Sequence, residues 1–342
     1  MPTAANTVLI LGARGRFGLC AARAFAQAGW RVLGQTRPQA QTPKHEAIEW
    51  IGIDLFDTQA LAQAAAGATV VVHALNPAYT NKVWQTEVLP MTDAAIAISR
   101  TLGATLMVPG NVYNFGAAMP QVLREDTAQT ARTVKGQIRI AMERRLQHSG
   151  VRSIVIRAGD FFGGGKGTWF DMAMVKDMRK GRFTYPGAPD PATPWAYLPD
   201  LARTFVAVAQ RRSELPDFEV LHFAGHCITG QRWLEVLTMI AQAQGWVQPG
   251  AALKMAQMPW PVIRLGALVV PTWAALLEMR YLWQTPHALA NDKLTALIGA
   301  EPHTPLTAAA LATLVDLGLV AVPSVAPSMG SGVKVRAAVH AQ

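Results

Sequence analysis

The stretch Val8-Leu9-Ile10-Leu11-Gly12-Ala13-Arg14-Gly15-Arg16-Phe17-Gly18 constrains the fold more than any other part of the chain. A short apolar strand runs into three regularly spaced glycines, and a helical pattern follows from about Phe17 to Ala28. Gly12 permits a tight turn, Gly15 lets the backbone approach a ligand closely, and Gly18 lets the helix pack against the sheet. The helix then opens with free N–H groups and the positive end of its dipole, the arrangement that holds a dinucleotide pyrophosphate. Gly12, Arg14, Gly15, Arg16, Phe17 and Gly18 are therefore the expected cofactor loop. A glycine-rich turn without a ligand is the plainer alternative.

The rest of the first half alternates strand and helix patterns. Strands are expected at Arg31–Thr36, Thr69–His73, Ala104–Val108 and Val151–Ile156. Helices are expected at Ala60–Ala66, Trp84–Thr101 (with a kink at Pro90) and Val134–His148. Later, Phe218–Phe223 reads as a strand, and Gln231–Gln244 and Ala308–Leu317 as helices. Strands separated by helices imply a doubly wound parallel sheet. The expected class is α/β, a Rossmann sheet with a smaller C-terminal substrate lobe. The expected division is 1–160 for the dinucleotide-binding part, with further sheet elements from 200–228, then 161–321 for the lobe and 322–342 as a disordered tail.

Apolar residues make up 51% of the chain and charged residues 15%, which supports a large core and excludes wholesale disorder. The formal net charge of +9 is scattered rather than clustered, so no nucleic-acid partner is expected. Cys20 and Cys227 lie too far apart in sequence for a disulfide framework or a metal spacing. The N-terminus lacks the basic region of a signal peptide. The apolar stretch Trp260–Trp283 is interrupted by Arg264, Pro271, Glu278 and Arg280, so it reads as a buried or lobe-capping helix pair, not a span. These features point to a soluble, cytoplasmic protein with no membrane partner and no metal.

The second strand ends Gly34-Gln35-Thr36-Arg37, without the acid that holds a ribose 2′-hydroxyl in NAD enzymes. Arg37 is suited to bidentate contact with a 2′-phosphate, so NADP is expected, with NAD the alternative. A solvated Arg37 is the other reading.

Several segments together resemble the extended short-chain dehydrogenase/reductase superfamily of epimerases, dehydratases and related reductases. The glycine loop has its Gly-x-x-Gly-x-x-Gly spacing. Ile53-Asp54-Leu55 is similar to its acidic-Leu pair, which implies Asp54 and Leu55 beside adenine. His73-Ala74-Leu75 resembles its fourth-strand signature, which implies Ala74 and Leu75 beside the nicotinamide ribose. Arg157-Ala158-Gly159-Asp160-Phe161-Phe162-Gly163, Ala196–Ala202 and the closing run from Asp292 to Leu306 complete the resemblance from residue 8 to about 318.

The family's chemistry uses a Tyr and a Lys four residues apart on one helix face. Here Lys135 matches the Lys, but Ala131 stands at the Tyr position. The exit of the fifth strand, Pro109 to Gly116, supplies a replacement set. The resemblance puts Asn111 at the position that polarises the substrate oxygen and turns Tyr113 toward the nicotinamide as proton donor, while Lys135 holds the ribose. A packed aromatic is the alternative for Tyr113, and a turn aspartate for Asp160, whose other reading is a substrate ligand or general acid. Gly163-Gly164-Gly165-Lys166-Gly167 reads as a flap or a phosphate cradle. Trp169, Phe170, Trp195 and Tyr197 either line a pocket or fill the core. The implied activity is hydride transfer on a small carbonyl or hydroxyl compound or a sugar nucleotide. The family often dimerises, so a homodimer is one option, and the sequence leaves the oligomeric state open. The alternative is a non-catalytic NADP(H) sensor that has lost the dyad Tyr.

Overall fold

In a computed structural model, residues 6–41 and 47–321 are described. The tail expected from 322 onward lies outside them. The first half runs β1 (Thr7–Leu11), α1 (Arg16–Gln27), β2 (Arg31–Gln35), β3 (Glu49–Ile51), α2 (Thr58–Ala64), β4 (Ala68–His73), α3 (Asn81–Leu102), β5 (Thr105–Asn111), β6 (Val122–Leu123), α4 (Val134–Gln147), β7 (Ser153–Ala158) and β8 (Asp160–Phe162). The second half runs β9 (Arg182–Tyr185), β10 (Thr193–Tyr197), α5 (Leu198–Gln210), β11 (Phe218–His222), β12 (His226–Ile228), α6 (Gly230–Ala243), β13 (Lys254–Gln257), α7 (Trp260–Gly266), α8 (Pro271–Glu278), β14 (Ala288–Leu289), α9 (Asp292–Ile298) and α10 (Leu306–Asp316).

Seven strands form one sheet in the order β3-β2-β1-β4-β5-β7-β11, every pair parallel. Because both faces are covered by helices, the central strands are apolar throughout, as β1 (TVLIL) and β4 (ATVVVH) show. The strand order reverses between β1 and β4, the point beyond whose C-terminal ends such sheets open a crevice. A single side of α1 packs on α5, with Phe17 edge-on to Phe205 at 4.8 Å. The second half adds a lobe whose aromatic core holds Phe162, Phe170, Trp195, Tyr197 and Trp233.

Three expectations change. The short edge strand β3 is an addition. The helix through Pro90 starts at Asn81, capped by the Thr80 hydroxyl, and runs on to Leu102. The Trp260–Trp283 stretch does form a helix pair, but its tip is not buried: Leu265, Leu268 and Val269 stand 72%, 83% and 82% exposed.

Arg157, at the end of β7, is locked in the core. It donates to Glu143 Oε1 and Oε2 on α4 at 3.0 and 2.7 Å and to the Glu125 carbonyl at 3.2 Å. A buried pair of this kind is costly to break from one side, because the surviving charge is stranded. Glu143→Ala is expected to lower unfolding free energy by about 3 kcal/mol or more, read by urea denaturation. A loss under about 1 kcal/mol would mean that Arg157 is not held by this pair.

Candidate active site

The glycine loop is built by close contact. A side chain at Gly18 would put its Cβ 2.3 Å from the Gly12 carbonyl oxygen, so glycine alone lets α1 press onto the end of β1. Gln35, buried at the end of β2, braces the turn: the Gly12 amide donates to its Oε1 at 3.1 Å, and its Nε2 donates to the Ile53 carbonyl at 2.9 Å. Gln35 therefore faces inward and leaves the following residues to meet a ligand. Helix α1 has no side-chain cap at Gly15 and no acid in its first turn. Its first amides are free for an anion, and Arg14 and Arg16 flank them. These observations fit a dinucleotide pyrophosphate.

Around this loop, Leu75 touches Gly12, and the Ala74 amide donates to the Leu11 carbonyl at 3.0 Å. Asp54 is exposed, with one carboxylate oxygen accepting from the Phe56 amide at 2.9 Å, and Leu55 is buried beside it. Arg37 is exposed and has no ion pair among the described residues. Phe17 is in the core rather than in the crevice. His73 is buried, and burial holds its pKa down to about 3, so it is a neutral ring beneath the crevice.

The expected flap is a run of left-handed glycines: φ is +80°, +69°, +96° and +103° at Gly163, Gly164, Gly165 and Gly167. It lies against α1. A Cβ at Gly164 would meet Cys20 Sγ at 2.8 Å, and one at Gly167 would meet the Arg16 guanidinium at 2.9 Å. The Asp171 carboxylate fastens this loop by accepting from the Gly167 and Thr168 amides at 2.8 and 2.5 Å. It also supports the charge of Arg16, whose pKa burial otherwise lowers.

The expected catalytic residues meet on the other side of the crevice. Asn111, ending β5, accepts the Tyr113 amide through Oδ1 at 3.0 Å. The Tyr113 hydroxyl lies 3.3 Å from that of Tyr79, a residue of the β4–α3 loop that the sequence did not single out. Lys135 is wholly buried on α4. Its ammonium donates to Asn81 Oδ1 at 2.5 Å and sits 4.5 Å from the centroid of the Tyr79 ring. Burial lowers the Lys135 pKa to about 8, with Glu278 pulling the other way. Glu278 itself accepts from the Val134 amide, at the N-terminus of the helix that carries Lys135.

Asp160, opening β8, receives the Trp283 indole N–H at 2.5 Å. Burial pushes its pKa up to about 6. Its charge reaches Tyr79, Tyr113, Tyr185 and Tyr281, four of the five tyrosines in the chain. Burial also pushes Tyr113 up to about 12 and Tyr79 well above the usual tyrosine range. Neither phenol is primed as a base, so both stand protonated as donors. Asp160 and Lys135 are the groups here that change charge near neutrality. Over this centre runs an aromatic row, Tyr79 to Trp169 at 5.6 Å and Trp169 to Trp283 at 6.4 Å. Phe170, Trp195 and Tyr197 belong to the lobe core instead.

A parallel sheet reversing at β1, with an uncapped glycine-loop helix and a titratable centre across the crevice, defines a Rossmann protein of the extended short-chain dehydrogenase/reductase superfamily. Residues 6–265 match the family profile of the RmlD substrate binding domain, and the chain belongs to that family. Solved structures with the same fold include MoeE5 in complex with UDP-glucose and NAD, 15% identical over 91% of this chain and 98% of that one, with a TM-score of 0.69. The Bordetella bronchiseptica enzyme WbmH in complex with NAD+ is 15% identical over 91% and 98%, with a TM-score of 0.67. A UDP-glucuronic acid 4-epimerase from Bacillus cereus in complex with NAD is 16% identical over 90% and 96%, with a TM-score of 0.66. No curated protein sequence matches the chain significantly.

Asp160 also makes a stability prediction. Its pKa rises from 3.8 to about 6 on folding. The folded state therefore holds the proton more tightly, and that contribution is present below pH 3.8 and lost as pH rises through about 6. The melting temperature of the wild type minus that of Asp160→Asn should fall across this window. A difference independent of pH would mean that Asp160 titrates normally.

Proposed function

We propose that the protein is an NADP(H)-dependent oxidoreductase or epimerase-like enzyme that acts on a small carbonyl or hydroxyl compound, or on a sugar nucleotide. The observation that carries this reading is the electrostatic closeness of buried Asp160 to Tyr113, which follows Asn111 at the end of β5, in a chain whose α1 opens on an uncapped glycine loop. Sugar nucleotides and NAD are the molecules named with MoeE5, which supports the substrate class and the dinucleotide. In this reading the part up to about residue 160 holds the cofactor and the part beyond it builds the substrate side.

A bound nicotinamide dinucleotide would supply or accept the hydride. The amides of Arg16, Phe17 and Gly18 would hold its pyrophosphate, Arg14 and Arg37 would meet a 2′-phosphate, and Asp54 would meet adenine. Lys135 would orient the nicotinamide ribose beside Ala74 and Leu75. Asn111 donates its side-chain N–H to the substrate oxygen. Tyr113 would give its proton to that oxygen on reduction, and protonated Asp160 would return a proton to the Tyr113 oxygen, leaving the Asp160 carboxylate. A second reading is a non-catalytic NADP(H) sensor. The row Tyr79–Trp169–Trp283 over the crevice, together with Ala131 at the dyad position, favours it.

NADPH oxidation against aldehydes, ketones and keto-sugars separates the two. The enzyme reading expects turnover that Tyr113→Phe and Asp160→Asn each cut roughly 100-fold or more. Because the proton delivered through Tyr113 is drawn from protonated Asp160, kcat/KM for reduction should fall as pH rises past about 6. Nucleotide binding without turnover on the whole panel would favour the sensor. Arg37→Glu should weaken NADPH binding at least roughly tenfold and leave NADH nearly unchanged. Equal losses for both nucleotides would remove Arg37 from 2′-phosphate recognition.

A further inference from the structure

The helix pair α7–α8 is made of apolar sequence with almost no charge. From Met255 to Leu277 the only charged residue is Arg264. The inner side of the pair is in the lobe core through Trp260, Ile263 and Leu276. The outer side is not covered. Val262, Leu265, Leu268 and Val269 are 58%, 72%, 83% and 82% exposed, and Trp273, closing over Gly266, is 36% exposed. A soluble surface seldom exposes so many large aliphatic side chains together, and such a patch marks a contact with something apolar.

We infer that the α7–α8 tip is a docking site for an anionic lipid bilayer. Two features select a bilayer over a protein. The most exposed residues, Leu268 and Val269, lie in the connection between the two helices, at the apex of a hairpin. Nearly complete exposure there suits entry into a fluid apolar layer, which needs no matching pocket, more than a broad complementary interface. The charge pattern agrees: the tip carries one cation, Arg264, and no exposed acid. The nearest carboxylate in sequence, Glu278, is turned inward onto the Val134 amide. The chain as a whole is +9, so an anionic surface attracts it. Among the described residues no helix is long and apolar enough to cross a membrane, so the contact is peripheral.

The base of the hairpin, at the end away from the tip, is joined to the Asp160 centre. Helix α8 leads through Arg280 into Trp283, whose indole holds Asp160, and Trp260 of α7 lies 6.2 Å from Trp283 ring to ring. A docked protein would hold the crevice close to the lipid surface. The inference does not depend on the protein being an enzyme.

Sedimentation of the full chain with vesicles tests it, using phosphatidylcholine alone and phosphatidylcholine with about one quarter phosphatidylglycerol. The bound fraction should be several-fold higher on the anionic vesicles and fall with salt. Leu268→Glu/Val269→Glu should reduce binding roughly tenfold or more, with an unchanged melting temperature and nucleotide affinity. Wild-type protein that stays in the supernatant with both vesicles overturns the inference. So does equal binding by the double variant, or binding indifferent to lipid charge. Self-association at the same concentrations that the double variant abolishes would assign the tip to a second copy of this chain instead.

Discussion

The contact between Gly18 and the Gly12 carbonyl sets the rest of the structure. With any larger residue at 18, α1 could not lie flat against the end of β1, since a Cβ there would come within 2.3 Å of that oxygen. Because the helix is seated so low, its uncapped first turn opens into the crevice where the sheet reverses. Gln35 braces the turn from β2, and the flap rests on the same helix from the other lobe, touching Arg16 and Cys20. The proposed pyrophosphate position, the seat of the flap and the packing of α1 on α5 all follow from that one approach.

Across the crevice the governing effect is desolvation. It raises Tyr79, Tyr113 and Asp160 and lowers Lys135, so each group is pushed toward its neutral form. The usual dyad works differently, with an ammonium lowering the pKa of a phenol. Here the ammonium of Lys135 faces the π face of Tyr79 and the oxygen of Asn81. The consequence is that the Asp160 carboxyl and the Lys135 amine, not a phenol, are the groups balanced near neutral pH.

The glycine loop, the parallel sheet and most of its strands were legible in the sequence, because each rests on a local pattern. The edge strand β3 was not, since three residues, Glu49–Ile51, carry no usable period. The loss of the dyad Tyr was visible at Ala131. The partners that surround the centre were not: Trp283 reaches Asp160 across 123 positions, and Tyr79 lies in a loop of no fixed pattern. The α7–α8 stretch was legible as a buried or lobe-capping helix pair, but not the exposure of its tip, because hydropathy reports a preference for apolar surroundings and not whether the fold supplies them.

Calorimetric titration of the purified protein with NADPH and with NADH tests the central claim, that the first turn of α1 holds a nicotinamide dinucleotide carrying a 2′-phosphate. The account predicts saturable binding of NADPH at one site, with NADH roughly tenfold or more weaker. Absence of binding by either nucleotide would contradict it.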